Sequence, residues 1–411
     1  MAVPISSQAG ARERRGLGGG AFTRAQVAVL AGGFLVNVGS FSIYPYMAVL
    51  LRERMGVGMA QVGVVLGAAT LVQFASAPAT AAVAERLGLK RSLVAALVLY
   101  SLGGSAFFLG TGSPLFTIAG LLLISGGGSL YSPAYRSYLV HGVGGEQRPR
   151  LVSAGNAAGN LGIAVGPVVG ALLVQRPDEM FTIVTAVYTS VALGHVFLRR
   201  ERRTADAPPV EPFRRMMHGV AVLPFVVTAL SFYVHMQFYQ YLSSYAQGRV
   251  ATLLFGAAMM GYSLGLVVVQ PLMAQRVEKM SYPTAMAIGF GCLTTGMVAF
   301  TGGNGPAIVV GVAAISVGSA VLFLKNDLEA LARSKRSATV VFGQQRLAVG
   351  VGSFLSGVVG GTVYEVFERG GFLPGFWLVV AAQCVVLPIF VLVVGRWRVR
   401  CLPWDRHVQR D

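Results

Sequence analysis

Charge is what this chain has least of. Only 12% of its 411 residues are Asp, Glu, Lys or Arg, and acids are the rarer sign, 16 against 33 bases. A soluble domain of this length carries about twice that charged fraction, so a water-soluble fold is excluded. Three cysteines, Cys292, Cys384 and Cys401, lie in or near apolar runs without pairing or metal spacing, which argues against a disulfide frame or a zinc site. No GxxxxGK[ST] phosphate loop is present, which removes direct ATP drive within the chain. No Asp or Glu stands near the middle of a long apolar run; Asp327, Glu329 and Glu365 lie toward the ends of theirs. A charge buried in lipid is costly and usually kept for function, so this scarcity points to a polar but largely uncharged cavity.

What is abundant is apolar length. With 54% hydrophobic residues, the chain reads as a multi-pass membrane protein. Apolar runs near 24–50, 59–83, 92–110, 115–140, 152–174 and 180–198, then 219–245, 251–274, 283–301, 306–328, 340–363 and 372–395, are each long enough to cross the hydrocarbon as helices. About twelve transmembrane helices in an all-α fold are expected. Residues 1–23, with Arg12, Arg14, Arg15 and a glycine cluster, read as a cytoplasmic tail, and 397–411 as a second. The charged, Pro-containing segment 199–218 reads as a cytoplasmic linker between bundles at 24–198 and 219–396.

The basic excess is distributed as lipid, not nucleic acid, would require. With the N-terminus inside, inner segments hold 25 of the 33 Lys and Arg, and outer loops hold Arg52, Arg54, Arg176, Arg249 and Arg369. The asymmetry puts both termini in the cytoplasm of an inner or plasma membrane.

The two halves repeat one another. A shift of 190 residues lays Gly128-Ser129 on Gly318-Ser319, Gly162 on Gly352, and VVGA at 168–171 on VVGG at 358–361. Repeated halves around a central site are characteristic of secondary transporters. Within the first copy, Gly162, Gly166 and Gly170 recur every four residues and share one helix face, which lets a neighbouring backbone come close. Pro167 in that ridge removes a donor, so the helix is expected to be packed against protein, not lipid.

Ser153, Gly162, Gly166-Pro167 and Gly170-Ala171 resemble the fifth-helix antiporter motif of major facilitator superfamily (MFS) exporters, with Ser153 and Ala171 where the family has Gly. Between the second and third runs, Ala81 to Arg91, with Glu85-Arg86, Gly88 and Lys90-Arg91, resembles that superfamily's cytoplasmic loop signature; it departs at Ala81 for Gly and Glu85 for Asp. The resemblance covers about 24–395. It implies two pseudo-symmetric six-helix bundles, alternating access, and the 12-helix drug/proton antiporters as the nearest type. The fourth-helix Arg of many proton-coupled exporters is absent, its position being Leu122.

From these features the expected function is export of a small organic molecule, a drug or secondary metabolite, by proton antiport in the lipid bilayer, by a monomer without cofactor, metal or nucleic-acid partner. Alternatives are a uniporter or importer of the same fold and, from another class, a membrane scaffold or intramembrane enzyme. No catalytic set converges: Gly261-Tyr-Ser263-Leu-Gly265 matches a nucleophile elbow but falls inside an apolar run, where the strand-to-helix turn that chemistry needs is missing.

Three sites are expected. In the seventh run Tyr233, Gln237, Gln240 and Ser244 gather on one narrow face, with Tyr241 at its edge, and Asn37, Ser40 and Tyr44 form a similar face in the first. Such polar stripes should face the substrate cavity, though each residue singly could equally bond a neighbouring helix. His235, the one mid-span histidine, falls almost opposite the Tyr233–Gln240 face; packing is its first reading and a proton site its second. At the inner mouth the repeat sets Arg136 opposite Asn326, between Lys325 and Asp327. An Arg136–Asp327 pair is expected when the inner gate is closed, with Glu85 near Arg346.

Overall fold

The computed structural model describes residues 22–110, 112–141, 143, 147–199 and 217–401. Nearly all of the two expected tails and of the linker, at 1–21, 402–411 and 200–216, therefore lies outside the described residues, as does the Glu85 side chain.

The first apolar run folds as two helices in line, α1 (Arg24–Ile43) and α2 (Met47–Met55), joined by a 3₁₀ turn at Tyr44–Tyr46. Pro45 accounts for the break, because it lacks the N–H that the next helical bond needs. A capping box opens α1: Thr23 Oγ1 accepts from Gln26 N and Gln26 Oε1 accepts from Thr23 N. The second run is also split, α3 (Met59–Ala75) and α4 (Ala77–Leu87) meeting at Ser76 just before Pro78. Gly88 then turns the chain with φ 90°, a value that an L side chain rarely adopts.

The remaining helices are α5 (Leu89–Leu109), α6 (Pro114–Val140), α7 (Gln147–Leu173) and α8 (Pro177–Val196) in the first half. The second half holds α9 (Val222–Ala246), α10 (Thr252–Lys279), α11 (Tyr282–Phe300), α12 (Gly305–Arg333), α13 (Ala338–Arg369) and α14 (Pro374–Cys401). No strand occurs among the described residues. Eleven segments are long and apolar enough to cross a membrane, α1 and α2 counting as one. The 17-residue α3 is apolar but short, and spans only in line with α4. Several helices outrun their apolar stretch; α12 continues to Arg333 because Leu328-Glu329-Ala330-Leu331-Ala332 is made of strong helix formers.

Packing repeats between the halves. In the first, α1 packs on α7, α5 on α6 and α5 on α8; in the second, the matching helices α9 and α13, α11 and α12, and α11 and α14 pack in the same pairs. The halves meet along two crossings, α3 on α13 and α7 on α10, which the repeat interchanges. This is two pseudo-symmetric six-helix bundles.

In lipid the hydrophobic effect does not hold helices together, so close backbone approach has to. A Cβ on Gly162 would come within 2.5 Å of Phe34 O on α1, and its repeat mate Gly352 would bring one within 2.0 Å of Ala229 O on α9. The inter-bundle crossing is built alike: a Cβ on Gly63 would lie 2.1 Å from Gly357 O.

Candidate functional site

Between the bundles lies a cavity of about 440 Å³, walled by α1, α3 and α6 to α7 on one side and α9 and α10 on the other. Its polar groups are amides and hydroxyls, among them Thr70, Gln73, Ser125, Asn160, Gln240, Ser263 and Gln270. Its rings are Phe41, Tyr44, Phe74, Tyr239 and Tyr262, beside His235. Among the described residues, no Asp, Glu, Lys or Arg lines it.

The end of the molecule away from the chain termini is closed. There Arg52 on α2 pairs with Glu368 on α13 at 2.5 Å, Glu365 Oε2 accepts from Ala60 N at 2.7 Å, and Tyr46 Oη donates to Pro167 O at 2.7 Å while its ring meets Phe255 edge-on. At the terminal end the picture differs. Ser153 and Asn156 on α7 are exposed in an open groove with Arg148 and Val152, and the ion pair that joins the halves among the described residues is the one at the far end.

Of the seven residues expected on the cavity wall, Tyr44 and Gln240 stand on it. The others do not line it, and four of them are turned into their own bundles. Gln237 is fully buried and donates from Nε2 to Gln383 Oε1 on α14 at 3.0 Å, and half-buried Tyr233 sits beside Gln383 and Cys384. Ser40 bonds Tyr188 Oη at 3.0 Å, and Asn37 Nδ2 donates to Gly33 O at 2.8 Å beside Gly162. Ser244 is half-buried near the far end of α9. The sector of α9 that faces the cavity, His235, Met236, Tyr239 and Gln240, is turned about 90° from the polar stripe. Within the stripe Gln237 Nε2 finds a bond inside its bundle, while Gln237 Oε1 and Ser244 Oγ have no hydrogen-bond partner among the described residues.

His235 is thus on the wall, 5% exposed, with Nε2 3.4 Å from Tyr262 Oη and Nδ1 3.4 Å from Ser319 Oγ. It is also ringed by Phe232, Phe238, Tyr239, Tyr262 and Phe323. In the fifth-helix motif Gly162, Gly166 and Gly170 press on α1, Pro167 offers its carbonyl to Tyr46, and Ala171 meets Gly256 of α10. In the loop motif Arg86 and Arg91 are exposed and Lys90 half-buried.

At the inner mouth no ion pair joins Arg136 to Asp327 in this conformation; Arg136 is exposed and Asp327 half-buried. Arg346 feels both charges and lies 5.9 Å from the Phe74 ring. Lys325 is buried and donates from Nζ to Glu278 O and Met280 O at 3.1 and 2.7 Å, closing the end of α10.

Residues on the wall that the sequence reading passed over include Gln73, Asn160 and Gln270. The signal was there: a lone carboxamide in an apolar run is expensive in lipid and marks a protein-facing or cavity-facing position.

Twelve crossings, two interchangeable bundles and a central uncharged cavity define a secondary-transporter architecture, and the family model of the Major Facilitator Superfamily matches residues 29–357. The chain belongs to that superfamily. Among curated relatives it resembles the multidrug resistance protein MdtH of Salmonella typhi, 25% identical over 210 residues, and that of Salmonella typhimurium, 24% identical over the same length. In both cases the match covers 50% of this chain and 52% of the relative, so the chain spans about half the length of the curated relatives it matches. Its fold is that of solved transporters. The nucleoside transporter NupG superposes with TM-score 0.73 at 14% identity over 91% of this chain and 100% of its own. A point mutant of the peptide transporter POT, in complex with sulfate, gives TM-score 0.75 at 13% identity over 93% and 96%. The human organic anion transporter MFSD10 gives 0.62 at 18% identity over 90% and 99%.

Proposed function

We infer that the chain exports a small organic molecule, of the drug or secondary-metabolite kind, in exchange for protons, by rocking its two bundles about the central cavity. The observation that carries this reading is the cavity itself. It is drug-sized, lies where two repeat-related bundles meet, and is walled by rings and amides without a formal charge other than what His235 can take up. The likeness to multidrug resistance proteins over half their length supports the drug side of the reading.

The distribution of Lys and Arg puts the terminal end in the cytoplasm of the inner or plasma membrane, with bundles at 24–198 and 219–396 joined by a linker at 199–218. On that topology the closed end described above is the outer one. The protein works as a monomer, since each copy carries a whole cavity. With Leu122 in place of a fourth-helix Arg, the proton is carried elsewhere; His235 on the wall and Asp327 at the mouth are the titratable groups best placed.

The deciding experiment is transport in proteoliposomes under an imposed pH gradient. Proton antiport predicts substrate movement against the proton flow that stops when a protonophore collapses the gradient. Counterflow indifferent to the gradient would replace antiport by uniport, and no movement of any compound class would remove the transport reading.

A further inference from the structure

We propose that the cavity takes an uncharged, flat aromatic molecule whose edge carries a carbonyl next to an N–H, and that the Gln240 carboxamide reads that edge. The proposal rests on the reading of this cavity as the transport site and names the chemical class that would fill it.

Gln240 lies on the cavity wall and is 6% exposed, yet neither its Oε1 nor its Nε2 meets a hydrogen-bond partner among the described residues. Gln237 Oε1, Ser243 Oγ and Ser244 Oγ on α9 also lack partners, but among the described residues it is Gln240 whose carboxamide stands on the cavity wall with both functions open. One helical turn earlier, Gln237 on the same helix is bonded to Gln383. A buried carboxamide with both functions open is the exception among buried polar groups and points to something it binds at intervals. A carboxamide offers one donor and one acceptor side by side in a plane. The group that answers both at once is another amide edge, in the bidentate manner by which Gln pairs with the donor and acceptor of an adenine edge.

Two further observations narrow the class. First, the wall has no Asp, Glu, Lys or Arg among the described residues, and a charged ligand would lose its water there without gaining a counter-ion. The titratable ring of His235 has both nitrogens directed at hydroxyls, Tyr262 and Ser319. Second, the wall is rich in rings. Phe41 and Tyr44 stand edge to face at 5.7 Å on one side, and Tyr239 and Tyr262 face them from the other half, so a flat ligand is gripped by stacking and edge contacts. The Tyr239 hydroxyl, next to Gln240 in the chain, is buried and also without a partner, which gives a second hydrogen-bonding point.

The probes are 1,8-naphthalimide, whose N–H stands beside a carbonyl, and N-methyl-1,8-naphthalimide, which lacks only the donor; 1-naphthoate and 1-naphthylmethylammonium supply the two charges. Binding to the purified full chain in detergent is followed by probe fluorescence. The imide should bind at least tenfold tighter than its N-methyl partner, and both charged probes should bind at least tenfold weaker than the imide. In Gln240→Met the gap between imide and N-methyl imide should close with the melting temperature unchanged. If that variant unfolds, Gln240→Leu reads the same gap, and the wild-type comparison stands without either. Equal binding of the two imides, a gap that survives in the variant, or a charged probe binding as tightly as the imide overturns the assignment. Transport separates this failure from a deeper one. A protein that exports other compounds without preferring the imide loses only the edge assignment, whereas a protein that transports nothing loses the transport reading as well.

Discussion

Glu365 of α13 caps a helix in the other half of the molecule: its Oε2 accepts from the backbone N–H of Ala60, in the first turn of α3, at 2.7 Å. The residue at the cap position of α3 is Gly58, which has no side chain to do this for itself. A carboxylate also suits the positive end of the helix dipole. The same Glu365 is bonded to Arg369, and Arg52 reaches Glu368 one turn away, so the far-end closure is a cap flanked by ion pairs.

Removing the cap should open that end. Glu365→Ala is expected to cost the closed state about 1 kcal/mol, a roughly fivefold shift toward far-end opening. Arg52→Gln should do less, because its pair is partly exposed, with side chains 42% and 30% accessible. Ser243→Cys, buried at this end, reports the shift in a background with Cys292, Cys384 and Cys401 changed to Ser. Its maleimide labelling should rise in Glu365→Ala; unchanged labelling would mean the cap does not hold the end closed.

The glycine contacts predict a stability pattern that follows the repeat. Gly162→Ala and Gly352→Ala each drive a methyl into a backbone oxygen of the neighbouring helix, and each should cost about 1–3 kcal/mol. Gly261 on α10 has open space around its Cβ position, so Gly261→Ala should be neutral or gain up to about 1 kcal/mol. Thermal unfolding in detergent ranks the three, and a Gly261 variant as unstable as the others would refute the packing account.

At the inner mouth, the proposed Arg136–Asp327 pair belongs to the conformation closed at that end. Asp327→Asn and Arg136→Gln should then keep the protein open at the terminal end, by about 1–3 kcal/mol. The readout is labelling of Asn156→Cys, which lies in the open groove. A charge-swapped double variant should recover part of the loss. Purely additive behaviour would show that the two side chains never meet.

His235 offers a sharper choice. Both of its ring nitrogens are directed at hydroxyls inside the second bundle, so a packing role predicts that His235→Gln keeps pH-gradient-driven export within about threefold. Loss of gradient dependence with retained counterflow would make it the proton carrier instead.

The fold was almost fully legible because lipid imposes one rule everywhere: runs of about twenty apolar residues become helices, and the 190-residue repeat pairs them. The site was less so. Helical periodicity grouped Tyr233, Gln237 and Gln240 on one side of α9, but it has no term for what that side meets, and the structure divides them, with Gln240 on the cavity wall and Gln237 bonded to Gln383. Gln383, 146 residues beyond Gln237, takes the face that looked destined for the cavity. The break at Ser76 and the trans cap by Glu365 are tertiary facts with faint local signals. Gly63-x-x-x-Gly67 and Gly357-x-x-x-Gly361 carry the spacing of close-packing faces, a signal that the sequence reading passed over.

Those two glycine pairs have a kinetic consequence. Where α3 crosses α13 the closest atoms are carbonyl oxygens and Cα atoms, with Gly357 against Gly63 and Gly67, and Gly361 against Met59 O. Few side chains enter that surface: Phe354 lies against Gly67, and the Tyr241 hydroxyl donates to Gly357 O beside Gly63 and Gly361. With mostly backbone on both sides, the crossing has few rotamers to rearrange if one bundle rolls over the other, which would leave the contacts at the two ends of the molecule as the larger barrier to that motion.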